Sequence, residues 1–197
     1  FDERGIAIPN LAELLDLVAL GTVADVVPLD ANNRILTWQG MSRIRAGKCR
    51  PGIKALLEVA NRDPQKLAAS DLGFALGPRL NAAGRLDDMS VGVALLLCDN
   101  IGEARVLANE LGALNQTRKE IEQGMQVEAL TLCEKLERSR DTLPGGLAMY
   151  HPEWHQGVVG ILASRIKERF HRPVIAFAPA GDGTLKGSGR SIQGLHM

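Results

Sequence analysis

The chain has 197 residues, 45% hydrophobic and 23% charged, with 23 basic side chains against 23 acidic ones. That is enough for one large domain or two small ones, and the charge balance excludes a globally basic nucleic-acid binder while leaving a local basic patch open. Cys49, Cys98 and Cys133 stand far apart with no C-x-x-C pair, which argues against a disulfide framework or a zinc knuckle and suits a reducing, cytoplasmic setting.

Opening on Phe1 rather than Met, the sequence is expected to start inside a longer one. No apolar run approaches the roughly 18–20 residues of a membrane span, and no basic-then-apolar leader is present. After Pro9 and Asn10, the spacing of Leu11, Leu14, Leu15 and Val18 predicts a helix over 11–20 with those residues on one face. Val23 to Leu29 is apolar except for Asp25, Pro28 stops regular structure, and Asp30 to Asn33 has turn composition. From Ala31 to Leu57 every charged side chain is basic: Arg34, Arg43, Arg45, Lys48, Arg50 and Lys54. Pro51 opens a helix that ends near Asn61.

Ser70 or Asp71 can cap a short helix that runs into Gly77–Asp87, a stretch with loop chemistry. Val91 to Cys98 predicts a buried helix. Asn100 and Glu103 resemble a capping box, and Leu107, Leu111, Leu114, Ile121, Met125 and Leu132 follow at helical spacing. The helix over 102–138 would be roughly 50 Å long; Gly112 and Gly124, each costing about 1 kcal/mol relative to Ala, could bend it. Pro144-Gly145-Gly146 closes it. A strand (147–150), a loop, a helix (157–170), a strand (174–178), a turn at 181–183 and a strand from Leu185 then follow. The fold class expected is α/β: two lobes joined by a long helix, both incomplete.

Four places could carry chemistry. Asp25 among valines needs a metal, an arginine or backbone amides, since a buried unpaired carboxylate costs several kcal/mol. GPRLNAAGR (77–85) sets Arg79, Asn81 and Arg85 among small residues; it suits phosphate recognition, or a Gly-rich turn with surface arginines. His155 precedes a helix start, a natural seat for an anion, or is a loop histidine stacked on Trp154; His171 and His196 read as surface residues. Lys186 to Ser191, with Ser188, Gly189 and Arg190, has the composition of a backbone nest round an oxyanion, or of a polar β-turn. The basic run is a solvated face or a groove for a single strand, with Trp38 as a stacking platform.

ALGTVADVVPL, GPRLNAAGR, WHQGVVGILASRI and KGSGRS occur together and in order, with LNQTRKE on the long helix. Together they resemble the later motifs of the RecJ branch of the DHH phosphoesterase superfamily. The resemblance implies the end of a DHH catalytic lobe over 1–101, a connecting helix over 102–140 and the start of a DHH-associated lobe over 141–197. It implies Asp25 as a ligand to one or two Mn²⁺ or Mg²⁺ ions, Arg85 and His155 as catalytic, and Arg79, Asn81, Ser188, Gly189 and Arg190 as phosphate- or DNA-binding. The activity implied is 5′→3′ hydrolysis of single-stranded DNA by a cytoplasmic monomer in repair and recombination. A single-strand-binding protein and a helicase are implied as partners.

The superfamily's D-x-D and D-H-H motifs are absent from this sequence, and Asp2 and Asp16 cannot replace them. A stretch with so few ligands is expected to be inactive alone. Alternatives are a nano-RNase or cyclic dinucleotide phosphodiesterase, a family II pyrophosphatase, and a non-catalytic nucleic-acid-binding module. The long helix and LNQTRKE favour the RecJ branch.

Overall fold

The computed structural model describes residues 10–139, 143–181 and 183–197. Asp2, the Pro9 start signal, the 140/141 boundary and Asp182 lie outside the described residues. Two compact units divide the chain, Phe1–Asn115 and Gln116–Met197. Among the described residues, no helix is long and apolar enough to cross a membrane.

In the first unit, the Asn10 side chain accepts from the Ala12 amide and starts a 3-10 turn that continues into α1 (Leu15–Ala24). The apolar face of Leu11, Leu14 and Val18 is exposed, while Asp16, Ala19 and Leu20 turn inward. The cause is the crossing of α1 by α2 (Ala31–Arg45) at Gly40, where any Cβ would overlap the Leu15 carbonyl oxygen. Close backbone approach, not a leucine stripe, sets this contact. The turn expected at Asp30–Asn33 is instead the start of α2, because Asp30 Oδ1 accepts from the Asn33 amide at 2.8 Å as an N-cap. The basic run therefore begins on a helix.

Pro51 opens α3 (Pro51–Val59) as expected. Buried Asp16 ties α1 to that start, accepting from the Leu17 amide at 2.8 Å and the Arg50 amide at 2.7 Å. After α4 (Ala69–Asp71) comes a π turn (Leu72–Leu76), then α5 (Gly77–Leu86). GPRLNAAGR is thus helical and not a loop. Its small residues are packing contacts: Ala82 and Ala83 are fully buried, and a Cβ on Gly77 would stand 3.1 Å from that of Ala24. Pro78 has no N–H for the preceding turn and its ring crowds that turn's carbonyl, which accounts for the wider winding just before it. In α6 (Ser90–Leu97) only Gly92 and Leu95 are buried; Val93 and Leu97 face outward, against the expectation of a wholly buried helix.

The long helix α7 (Ile101–Ser139) runs unbroken through Gly112 and Gly124 and passes from the first unit into the second. Asn100 Oδ1 caps it, accepting from the amides of Gly102 (2.7 Å) and Glu103 (3.1 Å). Its buried line follows smaller residues than the predicted one: Ala104, Ala108 and Leu111, then Met125, Ala129 and Cys133.

In the second unit, β1 (Leu147–Tyr150) pairs in parallel with β2 (Val174–Ala180) through α8 (Val159–Phe170). Then β3 (Thr184–Arg190) returns antiparallel to β2, so the sheet order is β1-β2-β3. Helix α8 buries Val159, Leu162, Ala163 and Ile166, a single face at helical spacing. KGSGRS is strand and not a nest: Ser188 pairs with Ala176, Gly189 with Ile175 and Arg190 with Val174. A Cβ at Gly187 would stand 2.6 Å from the Phe177 ring, so this glycine serves packing within the sheet.

Candidate functional site

Arg190 ends β3 with its side chain over α8. Its Nε donates to Ser164 Oγ at 3.0 Å, and its Nη1 donates to Ser188 Oγ at 3.0 Å and to the Gly189 carbonyl at 2.7 Å. Its Nη2 lies against Gly160, where a Cβ would stand 2.9 Å from that nitrogen and 3.0 Å from Ser188 Oγ. The Ser188 hydroxyl accepts from Arg190 and so keeps its own proton to donate. A planar cation is thus held on an exposed surface beside the first turn of a helix, an arrangement suited to a phosphate oxygen. A cavity of about 470 Å³ lined by Leu132, Leu136, Met149 and Tyr150 lies elsewhere in this unit and is mostly apolar.

His155 stands at the approach to α8. Its Nδ1 accepts from the Gly157 amide at 3.1 Å, which assigns the ring proton to Nε2 and makes that edge a donor. The adjacent Trp154 is buried and donates from Nε1 to Glu128 on α7 at 2.8 Å. The histidine beside Trp154 is His151, with ring centroids 6.1 Å apart. Glu122 on α7 accepts from Arg118 at 2.7 Å and from Arg165 on α8 at 3.2 Å, fastening the helix that carries Ser164. That gives LNQTRKE a structural role through Arg118. Ser164 and Gly160 lie within the WHQGVVGILASRI motif but were not singled out in the sequence.

In the first unit the candidates are arranged differently. Asp25 is the C-cap of α1 and is exposed, not buried among its valine neighbours as expected. A carboxylate at a helix C-terminus is disfavoured by the dipole and gains from a cation nearby. Val26 follows in the left-handed region at φ 55°, a strained position for a β-branched residue. Among the described residues, no group of three or more His, Cys, Asp or Glu side chains is placed to hold a metal. Asp25 therefore does not compose a metal centre with its described neighbours.

On α5, Asn81 and Arg85 are exposed one helical turn apart and share a face. Arg79 is half-buried elsewhere on the helix, donating from Nη1 to the Ala75 carbonyl at 2.6 Å while its buried Nε has no partner. Burial, assisted by the Arg62 charge, lowers its pKa from the ordinary arginine value. Two arginines of the basic run bond to the fold. Arg45 donates from Nε to the Leu67 carbonyl at 3.0 Å; Arg50 donates to the carbonyls of Leu96 (2.7 Å) and Leu97 (2.8 Å) and to Asp99 (2.8 Å). Trp38 is exposed.

The DHHA1 domain model matches residues 144–197, the sheet and helix that hold the Arg190 group. The whole chain is 98% identical to the single-stranded-DNA-specific exonuclease RecJ of Escherichia coli, and spans 34% of that protein's length. Along its whole length this chain is near-identical to a stretch of RecJ. Crystal structures of RecJ from Thermus thermophilus in complex with Mg²⁺ and with Mn²⁺ are both 36% identical with a TM-score of 0.78. Each match covers 95% of this chain, and 28% and 26% of the respective structures. The metal ions belong to those RecJ structures, and the stretch in hand corresponds to about a third of the length of its Escherichia coli relative.

Proposed function

We propose that this stretch is part of an enzyme that degrades single-stranded DNA 5′→3′ by metal-assisted attack of water on the phosphodiester. Residues 1–101 would close the catalytic lobe, 102–140 connect, and 141–197 begin the DHH-associated lobe. The observation that carries this is the Arg190 guanidinium, exposed yet held on two serine hydroxyls. Identity of 98% to a protein named as a single-stranded-DNA-specific exonuclease supports it. Ser188, Gly189 and Arg190, with Arg79 and Asn81, are proposed to grip DNA phosphates, while Arg85 and His155 Nε2–H steady the charge that builds on the reacting one. Asp25 is proposed as one ligand of a Mn²⁺ or Mg²⁺ centre whose remaining ligands are not in this chain, so the stretch alone is proposed to be inactive. Bound metal of this kind activates water and neutralises phosphate charge. A cytoplasmic monomer in DNA repair and recombination, working with a single-strand-binding protein and a helicase, completes the proposal; the three free cysteines are consistent with a reducing setting.

The test compares metal affinity with single-turnover cleavage in a full-length RecJ carrying this sequence, with the isolated stretch as zero-activity reference. Asp25→Asn is expected to lose metal and cleavage while retaining metal-free binding of single strands. Arg85→Ala, His155→Ala and Arg190→Ala should keep metal affinity and each lose about 2–4 kcal/mol of transition-state stabilisation. Loss of metal by His155→Ala would reassign that histidine. Retention of metal and activity by Asp25→Asn would leave Asp25 a structural residue.

A further inference from the structure

We infer that Ser164 and Gly160 are positioning residues that set the direction of Arg190 toward a DNA phosphate, an inference that rests on the phosphate role proposed for Arg190. A guanidinium carries five N–H groups in one plane. In Arg190, three meet acceptors on the protein: Ser164 Oγ, Ser188 Oγ and the Gly189 carbonyl. Among the described residues the pair on Nη2, which lies against Gly160, meets no acceptor and is proposed to meet the ligand. Both Nη1 contacts come from β3 itself, so they move with the strand. Ser164 is the acceptor on another element, and it holds the Nε edge.

The Ser164 hydroxyl is itself fixed, because it donates to the Gly160 carbonyl at 3.2 Å while accepting from Arg190. One turn of α8 thus supplies both a hydroxyl of defined direction and, at Gly160, the bare Cα against which Nη2 rests. Removing the hydroxyl frees the Nε edge, and the Nη2 fork swings. Adding a methyl at 160 pushes the fork away, since the Cβ would meet Nη2 at 2.9 Å. That nitrogen is the far end of a flexible side chain and the Ser188 hydroxyl, 3.0 Å from the same Cβ, can rotate, so the methyl disturbs the Arg190 orientation before the fold.

The experiment is a double-mutant cycle in a full-length RecJ carrying this sequence, reading single-turnover cleavage and affinity for a single-stranded oligonucleotide. Ser164→Ala is expected to lose about tenfold, the scale of one hydrogen bond to a charged group. Ser164→Thr keeps the hydroxyl and should restore most of that loss. In an Arg190→Ala background, Ser164→Ala should cost nothing further. Gly160→Ala should keep its thermal midpoint and lose activity comparably to Ser164→Ala. The inference falls if Ser164→Ala is harmless while Arg190→Ala is damaging, or if Ser164→Ala costs the same in both backgrounds. A harmless Arg190→Ala is a different result: it removes the phosphate role itself, and this inference with it.

Discussion

Arg50 in the first unit and Arg190 in the second both sit near glycine, and their surroundings assign them different work. Arg50 donates to the Leu96 and Leu97 carbonyls and to Asp99, and its side chain is 23% exposed. Its acceptors are backbone carbonyls at the end of α6, which would otherwise be unsatisfied there. Arg190 rests on two serine hydroxyls and one carbonyl, with its Nη2 against Gly160 and in none of those bonds. The atoms that accept from an arginine, more than its place in a charge run, decide whether it remains available to a ligand. The two candidate sites differ in the same way. The second unit holds its cation with its own chain, whereas Asp25 in the first stands exposed and belongs to no group of three or more metal-ligating side chains among the described residues.

The largest effect that would test this contrast is Arg50→Ala in a full-length RecJ carrying this sequence. It should cost about 2–3 kcal/mol of stability, because it strips the donors from partly buried carbonyls. Single-strand affinity and its salt dependence should not change. Denaturant unfolding alongside a salt titration of binding makes the check. Unchanged stability with a salt slope flattened by roughly 0.7, the signature of one lost phosphate contact, would make Arg50 a DNA ligand and erase the distinction from Arg190.

A smaller effect is expected at Glu122, whose carboxylate is shared by Arg118 and Arg165. Both Glu122 and Arg118 have side chains no more than 13% exposed, so the bond is shielded from solvent. Glu122→Ala should cost about 2 kcal/mol. The sharper readout is amide exchange along α8, where protection should fall. Unchanged protection there would break the claim that the second unit fastens its own site.

These outcomes bear on what a one-dimensional reading could find. The long helix was legible because its apolar repeat persists for many turns, and β1-α8-β2-β3 because strand and helix periods alternate with turn residues between them. GPRLNAAGR was not, because glycine and alanine signal a loop and a tight helix contact equally; only Ala24 lying against Gly77 separates the two. KGSGRS failed for a related reason, since its glycines make room for Phe177 across the sheet rather than for an anion on the backbone. Helix α2 was missed because Asp30 is as good a helix cap as it is a turn residue. Asp25 has apolar neighbours along the chain and solvent in space, a distinction that depends on where α1 ends. Ser164 had no signal of its own; its meaning appears only once the β2–β3 hairpin carries Arg190 back over α8.

The smallest effect lies at the exposed counterpart of the Glu122 cluster. Arg105 on α7 donates to Glu58 on α3, at 2.7 Å from Nε and 3.1 Å from Nη2. The hydrogen bond from Arg105 holds the Glu58 carboxyl below its ordinary range, with burial opposing weakly. Because the folded-state value is depressed, the pair's contribution is fully present above the unfolded carboxyl's pKa and is lost as pH falls through the folded one. The side chains are 54% and 38% exposed, so solvent and salt screen the pair and its worth lies at the edge of detection. Glu58→Gln should therefore lower stability slightly near neutral pH, and the gap from the parent protein should close both in acid and in high salt. Parallel denaturant curves across that pH range make the measurement. A gap that persists undiminished in acid would mean that Glu58 acts through packing rather than charge. The exposed pair in the first unit would then no longer differ in kind from the shielded one in the second.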